Sequence, residues 1–86
     1  MKSKKDVLAR LKKNLEEILL GVRRAEKIAD TALILRDLGL DSLDYASLLL
    51  NMEQWLDLQV KEEGVDWSKI QSVMQLAEFL YKQQGE

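Results

Sequence analysis

Apolar side chains are spaced differently in different parts of this chain, and the spacing predicts its elements. From Val7 onward, Leu8, Leu11, Leu15, Ile18, Leu19 and Val22 recur at intervals of three and four, the repeat that puts side chains on one face of a helix. Ser3 stands just before this stripe with Asp6 in the first turn. A serine there can accept a backbone N–H that the helix leaves unbonded, so the helix is expected to start after Ser3. Gly21 is expected to close it. A second helix is predicted from Ser42 to Leu56, with Asp41 as its cap and Asp44 in its first turn. A third is predicted from about Ser72 to Tyr81, with Val73, Leu76, Ala77 and Leu80 as its stripe and Ser72 and Gln75 at capping-box spacing. Gly64 breaks the chain before it, and the segment VDWSKI fits a short helical turn.

Between Gly21 and Asp41 no clean stripe runs, yet Ile28, Leu33, Ile34, Leu35, Leu38 and Leu40 are too apolar for a free linker. A connection this long in a small domain is either functional or packed down by its own side chains, and these residues are expected to pack it. With no proline and no sustained strand-like alternation, the fold class is all-α: a small bundle of three to four helices with a long loop between the first two. One domain is expected over residues 1–86, with its core from about 4 to 82.

The second helix carries more apolar surface than a bundle needs. At the helical step Tyr45, Leu48, Leu49, Met52 and Leu56 gather on one side, which suffices for a core face, and Leu43, Ala46 and Leu50 gather on the other. Leaving that second stripe wet forgoes about 25 cal/mol for each Å² that could be buried, so it reads as a surface for a partner. Asp44 and Glu53 flank it.

Charge sharpens this picture. Residues 1–40 hold ten Lys and Arg against six Asp and Glu, a net of +4, and residues 41–86 hold three against nine, a net of −6, which together give the overall −2. The acidic half repels nucleic acid and suits a basic protein partner. In the first helix the basic residues are interleaved with Asp6, Glu16 and Glu17, which favours burial of its apolar face in the bundle over binding to a membrane or to phosphates. No run of residues is apolar enough to span a membrane, and a cytoplasmic protein is the expectation.

The composition also bounds the chemistry. The chain has no cysteine and no histidine, so disulfides, thiol or imidazole catalysis and the usual soft metal sites are not expected. Ser42, within LRDLGLDSLDYASLLLNMEQWL, has no histidine to act as its base, and no Ser-x-x-Lys spacing begins there. From the residues alone, DSLD reads first as an ordinary helix start. Trp55 falls at the margin of the core face, to pack there or to touch a partner or cargo. Trp67 is expected to cover the core or the cleft between the second and third helical segments.

The stretch DLGLDSLD, placed after a long loop and opening a helix that continues LLLNMEQW, resembles the phosphopantetheine attachment motif of acyl carrier proteins. The resemblance extends over about residues 4 to 82 and includes the tail WSKIQSVMQLAEFL. It implies that Ser42 accepts 4′-phosphopantetheine from coenzyme A through a separate phosphopantetheinyl transferase, and that the arm's thiol holds an acyl group as a thioester. It further implies that Asp41, Leu43, Asp44, Ala46, Leu50 and Glu53 face partner enzymes: transferases, ligases and synthases of fatty acid, polyketide or specialised lipid synthesis. Such a carrier is not itself an enzyme, holds no metal, binds no nucleic acid, does not insert stably in a membrane and works as a monomer. Ser47, Gln54 and Trp55 stand where glutamate is common in the family, and the segment after the helix lacks the family's usual proline. These departures favour a specialised carrier as much as a housekeeping one. Two alternatives accompany this reading: a peptidyl, aminoacyl or D-alanyl carrier, and an unmodified helical adaptor.

Overall fold

The computed structural model describes residues 1–85; residue 86, the last position of the expected domain, lies outside the described residues. Its helices are α1 (Lys4–Ile18), α2 (Ser42–Leu56) and α3 (Val73–Gln83), with short 3₁₀ turns at Ala25–Lys27 and Trp67–Lys69. α1 packs against both α2 and α3, which meet each other only weakly. The chain directions follow from the contacts. Asn14 meets Met52 and Arg10 lies over Trp55, so α1 runs antiparallel to α2. Lys2 pairs with Gln84 and Lys4 with Glu78, so it is antiparallel to α3 as well.

Each helix starts where its polar residues direct. The Ser3 hydroxyl accepts the Asp6 N–H, the Asp41 carboxylate accepts the Asp44 N–H, and Ser72 and Gln75 form a reciprocal capping box. These bonds satisfy donors that a helix N-terminus cannot pair internally. The inner faces of the helices supply a single core: Val7, Leu11 and Leu15 from α1, Leu48, Leu49, Met52 and Leu56 from α2, and Val73, Leu76, Ala77 and Leu80 from α3.

The end of α1 differs from the expectation. The helix stops at Ile18, and Leu20 and Gly21 both take left-handed backbone angles, with φ of 55° and 76°. Two successive left-handed residues turn the chain away before the stripe can extend, so Val22 lies outside the helix and is 85% exposed. The turn at Ala25–Lys27 was not foreseen either. Glu16 anchors it by accepting the Ala25 N–H, and its carboxyl is held below the usual range, first by the hydrogen bond from Lys13 and then by that N–H.

The long loop is packed down, as its composition suggested. Ile28, Ala32, Ile34, Leu38 and Leu40 are buried. Backbone bonds then tie the loop to the start of α3: Ile34 N–H to the Gln71 carbonyl, Val73 N–H to that of Ala32, and Met74 N–H to that of Asp30, with an antiparallel bridge between Leu33 and Ser72. Leu35 departs from the expected packing and is 56% exposed, because the chain turns outward there between the buried Ile34 and Leu38.

Candidate functional site

The site is built at the start of α2, where the loop delivers the chain through Leu40. Leu40 is buried and Gly39 before it has a φ of 72°, so a backbone conformation that suits glycine turns the chain while Leu40 anchors it. Asp41 then takes an extended conformation and accepts the Asp44 N–H at 2.8 Å. Asp41 therefore caps the helix, as expected, and the Ser42 hydroxyl is not used for it. Ser42 is the first helical residue and is exposed.

The two faces of α2 divide as the spacing predicted. Leu48, Leu49, Met52 and Leu56 are buried and Tyr45 is half-buried, whereas Leu43 is 77% exposed, Leu50 is 54% exposed and Ala46 is exposed between them. Asp41 is exposed and Asp44 is half-buried beside the first of these. Glu53 has an employment that its spacing could not reveal: its carboxylate accepts the Val60 N–H at 2.6 Å, which folds the chain after α2 back onto the helix.

Beside Ser42 lies a cleft of about 750 Å³, walled by Leu33, Leu35 and Leu40 from the loop, Tyr45 and Leu49 from α2, and Trp67 and Ile70 from the segment before α3. Arg36 and Glu62 also line it. Its size and mostly apolar walls are those of a small-molecule site. Trp67 stands where it was expected, edge-on to Tyr45 and to Phe79. Trp55 is half-buried away from this cleft, with Lys2 and Arg10 over its ring at 5.0 and 5.6 Å, so packing against α1 accounts for it. Sequence reasoning missed Leu35 and Arg36 as cleft residues; their place immediately before the turn that leads to Ser42 was the available signal.

An exposed primary hydroxyl at a helix start, free of capping duty and beside a roomy apolar cleft, fits covalent attachment of a long flexible group. No histidine is present in the chain to make the serine a nucleophile of its own, and the described residues hold no cluster of three or more His, Cys, Asp or Glu suited to a metal.

These features suit a site for a covalently attached group. Residues 9–80 match the family profile described as a phosphopantetheine attachment site. Among curated relatives, the acyl carrier protein of Solidesulfovibrio magneticus is 39% identical over 67 residues, covering 78% of this chain and 82% of the relative. The acyl carrier protein of Akkermansia muciniphila is 36% identical over 66 residues, covering 77% and 79%. That of Buchnera aphidicola is 33% identical over 78 residues, covering 91% and 92%. The chain belongs to the acyl carrier protein family, whose members bear covalent 4′-phosphopantetheine and are carriers, not catalysts.

Proposed function

We propose that Ser42 is the attachment point and that the whole chain, residues 1–86 with a core from 4 to 82, acts as one monomeric cytoplasmic carrier for fatty acid, polyketide or specialised lipid synthesis. The observation that carries this reading is the division of labour between Asp41 and Ser42. Because Asp41 holds the helix end, the serine hydroxyl can be esterified without costing the helix its cap. The bound arm would supply a thiol that holds an acyl group as a thioester. The chain's own residues position and present it: Ser42 fixes the arm at the mouth of the cleft, and the acidic Asp41 and Asp44 steer basic partner surfaces toward it. Leu43, Ala46 and Leu50 offer the apolar contact on which such an encounter settles, and Glu53 borders that face. The partners this fits are a phosphopantetheinyl transferase and the acyl-transferring, ligase and synthase enzymes of the pathway.

The test is incubation with a promiscuous phosphopantetheinyl transferase, magnesium and coenzyme A, followed by intact mass measurement. One phosphopantetheine should be added to the parent and none to Ser42→Ala, with the helical content unchanged. Addition at Ser3, Ser47, Ser68 or Ser72 would overturn the assignment.

A further inference from the structure

Tyr45 follows Ser42 by three residues, nearly one helical turn, and lines the cleft. Its ring meets Trp67 edge to face at 6.1 Å and 89°, and Trp67 in turn meets Phe79 at 5.7 Å and 61°. The hydroxyl at the end of this ring is enclosed by the protein and has no hydrogen-bond partner, alone in this among the buried side-chain polar atoms of the described residues. An orphaned buried hydroxyl is destabilising, and a phenylalanine would fill the same space without that cost. Native proteins seldom leave such a group unpaired unless something else supplies the partner. Burial pushes the phenol up to about 12, so it is a neutral hydroxyl that can both donate and accept.

We propose that the cleft takes an acyl cargo bearing an oxygen substituent, a hydroxyl or a keto group, and that the Tyr45 hydroxyl is the hydrogen-bond partner that favours it over a saturated chain. The inference rests on the reading that Ser42 bears the arm. A saturated chain would fill the apolar volume and leave the hydroxyl orphaned, whereas an oxygenated chain satisfies it, and sites that hydrogen-bond a ligand group discriminate against the analogue lacking it. The oxygen is shut off from the open cleft, so the cargo reaches it by displacing a neighbouring ring. Trp67 is the ring placed to move: it belongs to a three-residue turn and is only half-buried.

The experiment loads octanoyl and 3-, 5- and 7-hydroxyoctanoyl chains from the corresponding acyl-coenzyme A onto the parent and onto Tyr45→Phe, checks each by intact mass, and measures cleavage of the thioester by hydroxylamine. Comparing variant with parent for each chain cancels that chain's own reactivity. Tyr45→Phe should speed cleavage of at least one hydroxylated chain by roughly five- to tenfold, the worth of one hydrogen bond, and alter octanoyl by less than about twofold. In the loaded parent, the Trp67 indole N–H resonance should shift further with that same chain than with octanoyl, which lies against the ring without displacing it. An equal effect of the variant on all chains, or an indole shift no larger with any hydroxylated chain than with octanoyl, overturns the proposed preference while leaving the carrier reading intact. Failure of the parent to load at all overturns the carrier reading and this inference with it.

Discussion

The side-chain amide of Asn14 donates to the sulfur of Met52 at 3.1 Å in the middle of the core, joining α1 to α2. Among the described residues Asn14 is the one buried polar side chain, only 2% exposed, and a thioether is a weak acceptor. Replacing Met52 by Leu conserves volume and in a purely apolar site costs under about 1.5 kcal/mol. Here it also removes the amide's partner, so Met52→Leu should cost about 1–3 kcal/mol. The double change with Asn14→Leu should recover most of that, as urea unfolding of the four proteins of the cycle would report. A neutral single change would mean that the contact contributes nothing.

The two faces of α2 should separate in a stability measurement. Leu49 is 6% exposed and Leu50 is 54% exposed. Leu49→Ala should cost about 2–5 kcal/mol and Leu50→Ala well under that. Leu50→Ala should instead slow acyl transfer with a partner enzyme. A large loss of stability at Leu50 would remove the docking face.

Charge at the start of α2 should act on encounter rather than on folding. Asp44→Lys should slow loading by the transferase at low salt, with the gap closing as salt screens it. For Asp41 the choice of substitution matters, because its carboxylate also caps the helix. Asp41→Asn keeps a capping side chain and removes the charge, so its effect should fall on loading rate, whereas Asp41→Ala should also lose about 1 kcal/mol of stability. Parental loading by Asp44→Lys at low salt would refute the steering.

Alkaline titration offers an independent check on Tyr45. Its phenol is raised from 10.0 to about 12 by burial. A folded pKa above the unfolded one means that, between the two, the unfolded chain releases a proton that the folded chain keeps. The contribution is therefore whole below pH 10 and declines from there toward pH 12. Tyr45→Phe lacks that decline, so its stability curve should fall less steeply than the parent's across this window. Below it the variant should be at least as stable as the parent, since it buries no orphaned hydroxyl.

Most of the helical architecture could be read from the sequence because it is set by local chemistry. The caps at Ser3, Asp41 and Ser72 and the period of the stripes each act within a few residues, and α2 and α3 begin where these signals placed them. What escaped reading depends on contacts distant in sequence or on strained backbone. Leu20 in a left-handed conformation ends α1 early and strands Val22 in solvent, although neither residue type announces a turn. In the candidate site, placement was legible: Ser42 stands exposed at the start of α2, and Leu43, Ala46 and Leu50 form an exposed stripe, where motif and spacing put them. It was not legible at Glu53, whose bond to the Val60 N–H depends on how the following chain folds back. Nor was it at Tyr45, which the spacing put on the core face but whose unpaired hydroxyl appears only once its surroundings are assembled.

The backbone bonds between the long loop and α3 make one jamb of the cleft rigid. Ile34 is bonded to Gln71, Val73 to Ala32 and Met74 to Asp30, so the approach to Ser42 and the first turn of α3 form a single frame. From Lys61 to Ile70 the backbone N–H bonds reach only nearby residues, such as Val65 to Glu62, Lys69 to Asp66 and Ile70 to Trp67. That stretch is a door hung on the frame at Ile70 and on α2 at Val60, which Glu53 holds, and Trp67 is its inner edge. Outward movement of that stretch would widen the cleft without moving Ser42, and would leave the exposed face of Leu43, Ala46 and Leu50 as it is.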